Sequence, residues 1–280
     1  MKRAPEFPRL GKEAVLQARN LSNPEIRFIV SNYYAAQNMR KRCDMQLRHL
    51  GEKALPDALR YHADAYAVQE AQYLKLLKTV AEASPIGQWC MSHIGIGPVI
   101  SAGCMAHFDI EKAQTAGHFW SFAGLNPAKV WKEGEKRPWN AELKQIMWHL
   151  GQSMKKQSGK PHADYGRLYK ERKTLLETRN ANGDFAERCK TFRAKSPEWK
   201  KVIAEGRLPA GNIDSQACNF VSKIFLSHLH AVMYWEHFGT APPKPFAIGI
   251  LGHAHEIKIP NLDMFPGLEQ AYYGGKMNGG

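Results

Sequence analysis

The chain has 280 residues, of which 44% are hydrophobic and seven are Trp, so it can bury a core and is not a disordered polyelectrolyte. It carries 39 Lys and Arg against 26 Asp and Glu, a net charge of +13. A field of that sign concentrates polyanions, which makes nucleic acid or an anionic membrane the leading partner class, with a merely soluble basic protein as the plain alternative.

Five cysteines (Cys43, Cys90, Cys104, Cys189, Cys218) are odd in number, far apart and without a C-x-x-C pair. They make neither a disulfide framework nor a zinc ribbon and suit a reducing compartment. The opening MKRAPEFPRLGKEAVLQ lacks the apolar core of a signal peptide. The longest apolar stretch, IFLSHLHAVMYW at 224–235, contains two His and is too short to span a bilayer. A cytoplasmic protein with no membrane partner is expected.

In chain order, residues 1–23 form an N-terminal arm. Asn23-Pro24-Glu25 puts a capping side chain before a proline, and a helix is predicted from Pro24 to Leu50 with Gly51 as its stop. A second helix is predicted from about Pro56 to Ala83, with the apolar stripe Leu59, Ala63, Tyr66, Ala67, Leu74, Leu77 and Val80. Together, 24–83 reads as an antiparallel, coiled-coil-like helical hairpin, the expected route to a homo-oligomer. Arg40, Lys41, Arg42 and Arg48 on the first helix read most simply as a solvated face.

Residues 84–127 read as short helices around SHIGIGPVISAGCMAHF at 92–108. Gly95 and Gly97 permit a tight turn between a helix ending near His93 and one beginning at Pro98, with Ile94 and Ile96 anchoring it in the core. Backbone N–H groups at such a turn, beside a helix N-terminus, can seat one phosphate without reading sequence. This is the helix-hairpin-helix device. The alternative is a glycine turn that only packs two helices tightly.

The next segment is basic. From Lys155 to Lys173 there are seven Lys or Arg against two acids, including Lys155, Lys156, Lys160 and Arg167. With Lys129, Lys132, Lys136 and Arg137 they form one phosphate-tracking surface or, on the competing reading, a solvated face. Trp120, Trp131, Trp139 and Trp148 flank this stretch; most are expected in the core, with one in the 128–140 loop free to stack on a base.

Residues 178–196 read as an inserted polar loop, 197–205 as a short helix stopped by Gly206, and 214–238 as a long helix stopped by Gly239. APPKPFAIGILGHAHEIKIPN at 241–261 breaks helical periodicity and is expected to hold a strand or two, within an irregular tail from 246 to a frayed, glycine-rich end. The fold class expected is mainly α: a long helical hairpin followed, over 84–245, by a helix-hairpin-helix-containing helical domain.

Other chemistry is sparse. His228 and His230, two apart on a helix, point to different faces, whereas His253 and His255 would share a face of a strand. Neither pair has a Cys or clear carboxylate set beside it, so no metal site is assigned. Tyr165 and Tyr169 share a helical face and read as packing or base-stacking groups rather than nucleophiles. There is no P-loop, G-x-S-x-G or H-E-x-x-H.

Residues 94–127 carry Gly95-Ile96-Gly97-Pro98, an apolar helix, a short polar link and a helix ending in Ala123-Gly124-Leu125-Asn126-Pro127. ELKQIMWHLGQSM at 142–154, YGRLYKERK at 165–173 and SKIFLSHLHAVMYWEHFGTAPPKP at 222–245 follow. Over roughly 85–245, with 178–196 as an insertion, the chain resembles the C-terminal domain of the bridge-RNA-guided insertion-sequence DEDD transposases. The resemblance implies DNA binding in transposition or recombination, and as partners DNA, a structured guide RNA and an RNase-H-like domain. In that family the RNase-H-like domain holds an acidic metal-binding tetrad, the C-terminal domain supplies a nucleophilic serine, and a helical linker similar to 24–83 joins them.

The chain departs from this pattern. Residues 1–23 offer no RNase-H-like sheet, so no cofactor is expected on this chain, and Mg²⁺ only through a partner nuclease domain. The family's serine lies between A-G-L-x-P and the next helix, yet Ala128 to Gln152 contains none; Ser153 and Ser158 follow. Val99 stands where helix-hairpin-helix motifs often place a Lys, and Pro98 supplies no N–H. A non-catalytic DNA- or RNA-binding architectural or regulatory module is the alternative function.

Overall fold

Ser22, Pro24 and Glu25 start the first long helix by satisfying its leading N–H groups. The Ser22 N–H donates to the Glu25 carboxylate at 2.7 Å and the Ser22 hydroxyl at 2.6 Å, a reciprocal cap with proline in the first turn. The computed structural model describes residues 7–51, 57–194, 196–243 and 257–274, and these are 71% helical with no strand. No helix among the described residues is long and apolar enough to cross a membrane. The chain divides into two units: residues up to Met91 with Gly97–Phe108, and Ser92–Ile96 with Asp109 onward.

In the first unit, α1 (Lys12–Gln17) and a 3-10 turn (Ala18–Asn20) lead into α2 (Asn23–Leu50) and α3 (Asp57–Glu82). Helices of 28 and 26 residues are about 40 Å long, whereas the link 51–56 reaches at most about 21 Å, so packing side by side requires an antiparallel arrangement. Gln37 and Arg40 on α2 both bond Glu70 on α3, with Arg40 Nε at 2.5 Å. Three of the seven residues of the predicted stripe are exposed. Ala63, Leu77 and Val80 are buried, Tyr66 is partly buried, and Leu59, Ala67 and Leu74 are exposed, beyond the reach of the elements that cover α3.

The sequence-based boundary at 83/84 cuts through this unit. α4 (Pro85–Ser92), as far as Met91, and α5 (Pro98–His107) join the long helices, bringing Trp89, Cys90, Ile100, Ala102 and Cys104 into one core. Arg27 on α2 donates at 2.6 Å to the Ala106 carbonyl, where α5 presents the negative end of its dipole.

The second unit is organised on α11 (Ala210–Phe238), 29 residues long, which packs against α6 (Ala116–Phe122), α7 (Ala141–Gln157) and α8 (Asp164–Ala181). Tyr165–His228, Arg172–Phe220 and Asn180–Leu208 meet in opposite order along the chain, so α8 runs antiparallel to α11. Ser222 on α11 donates to the Met147 carbonyl of α7 at 3.2 Å.

Two sequence expectations change here. Residues 178–196 are not a simple polar loop: α8 continues to Ala181 and α9 (Ala186–Thr191) follows, because Phe185 and Cys189 supply an apolar edge to bury. The tail is not irregular throughout. After α10 (Pro197–Ala204) and α11, a 3-10 turn (Leu262–Met264) and α12 (Pro266–Tyr273) bury Ile259, Leu262, Phe265 and Leu268. Of the 241–261 stretch expected to hold strands, the described residues 241–243 and 257–261 form none; its remainder with His253 and His255, and the glycine-rich end from 275, lie outside the described residues.

Candidate nucleic-acid interface

α4 ends at Ser92 and α5 begins at Pro98. Between them the Ile96 N–H bonds the His93 carbonyl at 3.0 Å, and Gly95 adopts φ +99°, where a side chain is strained. A Cβ at Gly95 would meet Gln157 Cγ at 2.9 Å and Ser153 Oγ at 3.2 Å, so the turn lies directly on the end of α7. Ser153 donates its hydroxyl hydrogen to the Gly95 carbonyl at 2.6 Å.

Two expectations for the turn are corrected. Gly97 caps α5 at φ −98°, ψ 177°, an extended conformation open to any residue, with free space where a Cβ would stand. Ile96 is buried, but Ile94 points outward and anchors nothing. Of the four turn residues, Gly95 is the one whose backbone demands glycine.

The A-G-L-x-P segment ends α6 by a paired C-terminal cap. The Leu125 N–H bonds the Trp120 carbonyl at 2.8 Å and the Gly124 N–H the Ser121 carbonyl at 3.2 Å, with Gly124 at φ +68°. A Cβ on Gly124 would strike Trp139 Cγ at 2.8 Å, so the missing side chain is also what seats that indole. The Trp139 ring in turn carries the Lys144 ammonium, 4.1 Å from its centre.

From this seat the 128–140 loop folds on itself. Trp131 Nε1 donates to the Glu135 carbonyl at 2.6 Å, and the Arg137 guanidinium stacks 5.2 Å above the Trp131 ring. The structure gathers Lys129, Lys132, Lys136 and Arg137 in this one exposed loop. Asn140 then caps α7, its Oδ1 accepting from the Leu143 N–H at 2.9 Å.

On α7 the spacing of Lys144, Trp148 and Lys155 places them on one face, one and then two turns apart. Trp148 is 60% exposed. None of Trp120, Trp131, Trp139 and Trp148 is buried, contrary to the expectation that most lie in the core; the fully buried tryptophan is Trp89. Trp148 and Lys144 are the site residues sequence reasoning missed, although the spacing Lys144–Trp148–Lys155 on a basic amphipathic helix carries the signal.

The other basic residues differ in availability. Lys156 and Lys160 are exposed. Lys155 is held by Asp214 on α11 at 2.8 Å, a carboxylate that Lys173 approaches at 3.7 Å and the Tyr169 hydroxyl also bonds. Partial burial pushes the Asp214 carboxyl up, but the hydrogen bonds from Lys155 and Tyr169 outweigh it and hold it below its ordinary range. Arg167 pairs with Glu171 at 2.9 Å on an exposed helix face, a link weak enough to exchange for a phosphate.

Tyr165 and Tyr169 are both buried, which leaves packing and removes base stacking. The Tyr165 hydroxyl bonds His228 Nδ1 at 2.9 Å, while His228 Nε2 faces the Ile257 carbonyl at 3.1 Å, so the proton resides on Nε2. Burial lowers the His228 imidazole to about 4, and burial with His228 nearby lowers His93 to about 3. His230 points elsewhere, its Nε2 on the Ala113 carbonyl at 2.8 Å. Among the described residues no three His, Cys, Asp or Glu are grouped to hold a metal ion, and the five cysteines are free thiols.

No family model, curated protein or solved structure matches the chain.

Proposed function

We propose that the chain is a nucleic-acid-binding protein that grips the sugar–phosphate backbone with weak sequence preference. The observation that carries this reading is Trp148, a largely exposed indole between Lys144 and Lys155 on α7, at the foot of which the 128–140 loop gathers four more cations. Exposing an indole is unfavourable in water, whereas stacking it on a base and flanking it with cations is the arrangement single strands and distorted duplexes require.

Residues 85–245 resemble the transposase domain named above, which supports a role in DNA transposition or recombination. On that reading strand transfer draws its metal-binding carboxylates from an RNase-H-like partner, and this chain contributes the grip on DNA or on a structured guide RNA. One observation favours the architectural or regulatory alternative: the hydroxyl of Ser153, the first serine after A-G-L-x-P, is committed to the Gly95 carbonyl. The apolar side chains that α2 leaves exposed, Phe28, Met45 and Leu50, fit a homo-oligomer through the helical hairpin, which light scattering tests directly.

Fluorescence anisotropy with labelled duplex DNA, branched DNA and structured RNA tests the function. Binding to at least one of these, weakened by Trp148→Ala, supports it; a chain that binds none of them at low salt contradicts it.

A further inference from the structure

A second cationic feature in the same unit is carried by α8 and α11, with a ring supplied by α6. Arg172 on α8 lays its guanidinium 4.8 Å above the ring of Phe220 on α11. Three residues along the same face of α11, Lys223 holds its ammonium 5.7 Å from the ring of Trp120 on α6. Trp120 is fixed there because its Nε1 donates to the Lys223 carbonyl at 3.0 Å.

Both cations are partly buried, and among the described residues neither makes an ion pair. The acids beside Arg172 on α8 are engaged elsewhere, Glu171 with Arg167 at 2.9 Å and Glu177 with Lys173 at 3.8 Å. The Nε of Arg172 is fully covered and has no hydrogen-bond partner among the described residues. The two charges also repel. Burial and then Arg172 lower the Lys223 ammonium, and burial and then Arg179 lower the Arg172 guanidinium. A fold that holds like charges together over apolar rings, with a buried donor unused, loses stability at that spot unless an anion completes it.

We infer that Arg172 and Lys223, backed by Phe220 and Trp120, form a seat for one phosphate group. A guanidinium and an ammonium near enough to repel one another suit a tetrahedral oxyanion with several acceptor oxygens, and the rings beneath them fix the donors in advance. The inference rests on the nucleic-acid reading only for the phosphate's source, a backbone phosphodiester.

The test compares the full chain with an Arg172→Met/Lys223→Met variant, whose apolar stems keep the packing over Phe220 and Trp120. Melting is followed in inorganic phosphate and in chloride of equal ionic strength, and binding of a short labelled duplex is titrated across salt. Phosphate is expected to raise the melting temperature of the wild type and not of the variant. The variant's duplex affinity is expected to fall about tenfold near 0.1 M salt, with the salt slope reduced by about one. Loss of the phosphate response with no duplex binding by either protein keeps the seat and discards the nucleic-acid source. Loss of duplex affinity without a free-phosphate response keeps the seat for a strand alone. The inference is overturned if the variant matches the wild type in both measurements. It is equally overturned if the variant melts lower in chloride, since relief of repulsion should leave it as stable or more so.

Discussion

The Ser153 hydroxyl donates to the Gly95 carbonyl at 2.6 Å, tying the turn at 92–96 to α7 four residues beyond His149. The helix that presents Lys144 and Trp148 therefore also holds the glycine turn, through Ser153.

Gly95 and Gly97 look equivalent in sequence and are not. Serine at Gly95 must adopt φ near +99° and meet Gln157 Cγ, and the expected loss is about 2–3 kcal/mol of stability. Serine at Gly97 occupies an extended N-cap with open space around it, and is expected to be neutral or stabilising by a few tenths of a kcal/mol. Urea melts of the two variants separate the positions; equal losses would contradict the assignment of the turn.

Ser153→Ala removes the bond to Gly95 and is expected to lower stability by about 1 kcal/mol. Incubated alone with supercoiled or branched DNA and Mg²⁺ or Mn²⁺, the chain is expected to leave the strands intact. Nicking that disappears in Ser153→Ala would make this hydroxyl a nucleophile and overturn its structural role.

Acid should weaken the fold through His93 and His228. Both are held neutral, with values lowered to about 3 and about 4, while in the unfolded chain they titrate near the ordinary value of 6.5. The unfolded state thus takes up protons that the folded state refuses, so their contribution is complete above about pH 6.5 and is lost as pH falls toward 4 for His228 and toward 3 for His93. Between about pH 7.5 and about pH 5 the loss is on the order of 1–2 kcal/mol per histidine. Urea midpoints at the two pH values check it, and an unchanged midpoint would show that these imidazoles titrate freely.

Trp148→Ala should separate binding from stability. Because the side chain is 60% exposed, its loss is expected to change stability by no more than about 0.5 kcal/mol. Affinity for a single strand or a branched junction is expected to weaken by about 1–3 kcal/mol, the range for one stacked base. A stable variant with unchanged affinity would move the contact surface off α7.

Much of the helical framework was legible because its signals are local. Pro24 and Gly51 bracket α2, although the cap is Ser22 and not the expected Asn23; Gly239 ends α11 in the left-handed conformation, and Gly124 with Leu125 closes α6. What escaped depends on neighbours remote in sequence. The mobility of a glycine says nothing of which glycine needs it, and the contact of Gly95 with Gln157 settles that only in three dimensions. The spacing of Trp148 with Lys144 and Lys155 hinted at a surface position, but an indole on an amphipathic helix is settled as exposed only when its neighbours are placed. Phe185 and Cys189 carried too few apolar positions to announce α9, which forms because they find a core to enter.

The measurement that bears most directly on the central claim is the affinity of the full chain for duplex or branched DNA as a function of salt. If the 128–140 loop, α7 and the Arg172–Lys223 pair hold phosphates, the logarithm of the association constant falls linearly with the logarithm of salt concentration, with a slope of about −4 or steeper. A flat response, or no binding at low salt, would mean that the +13 charge serves another purpose and that the nucleic-acid reading is wrong.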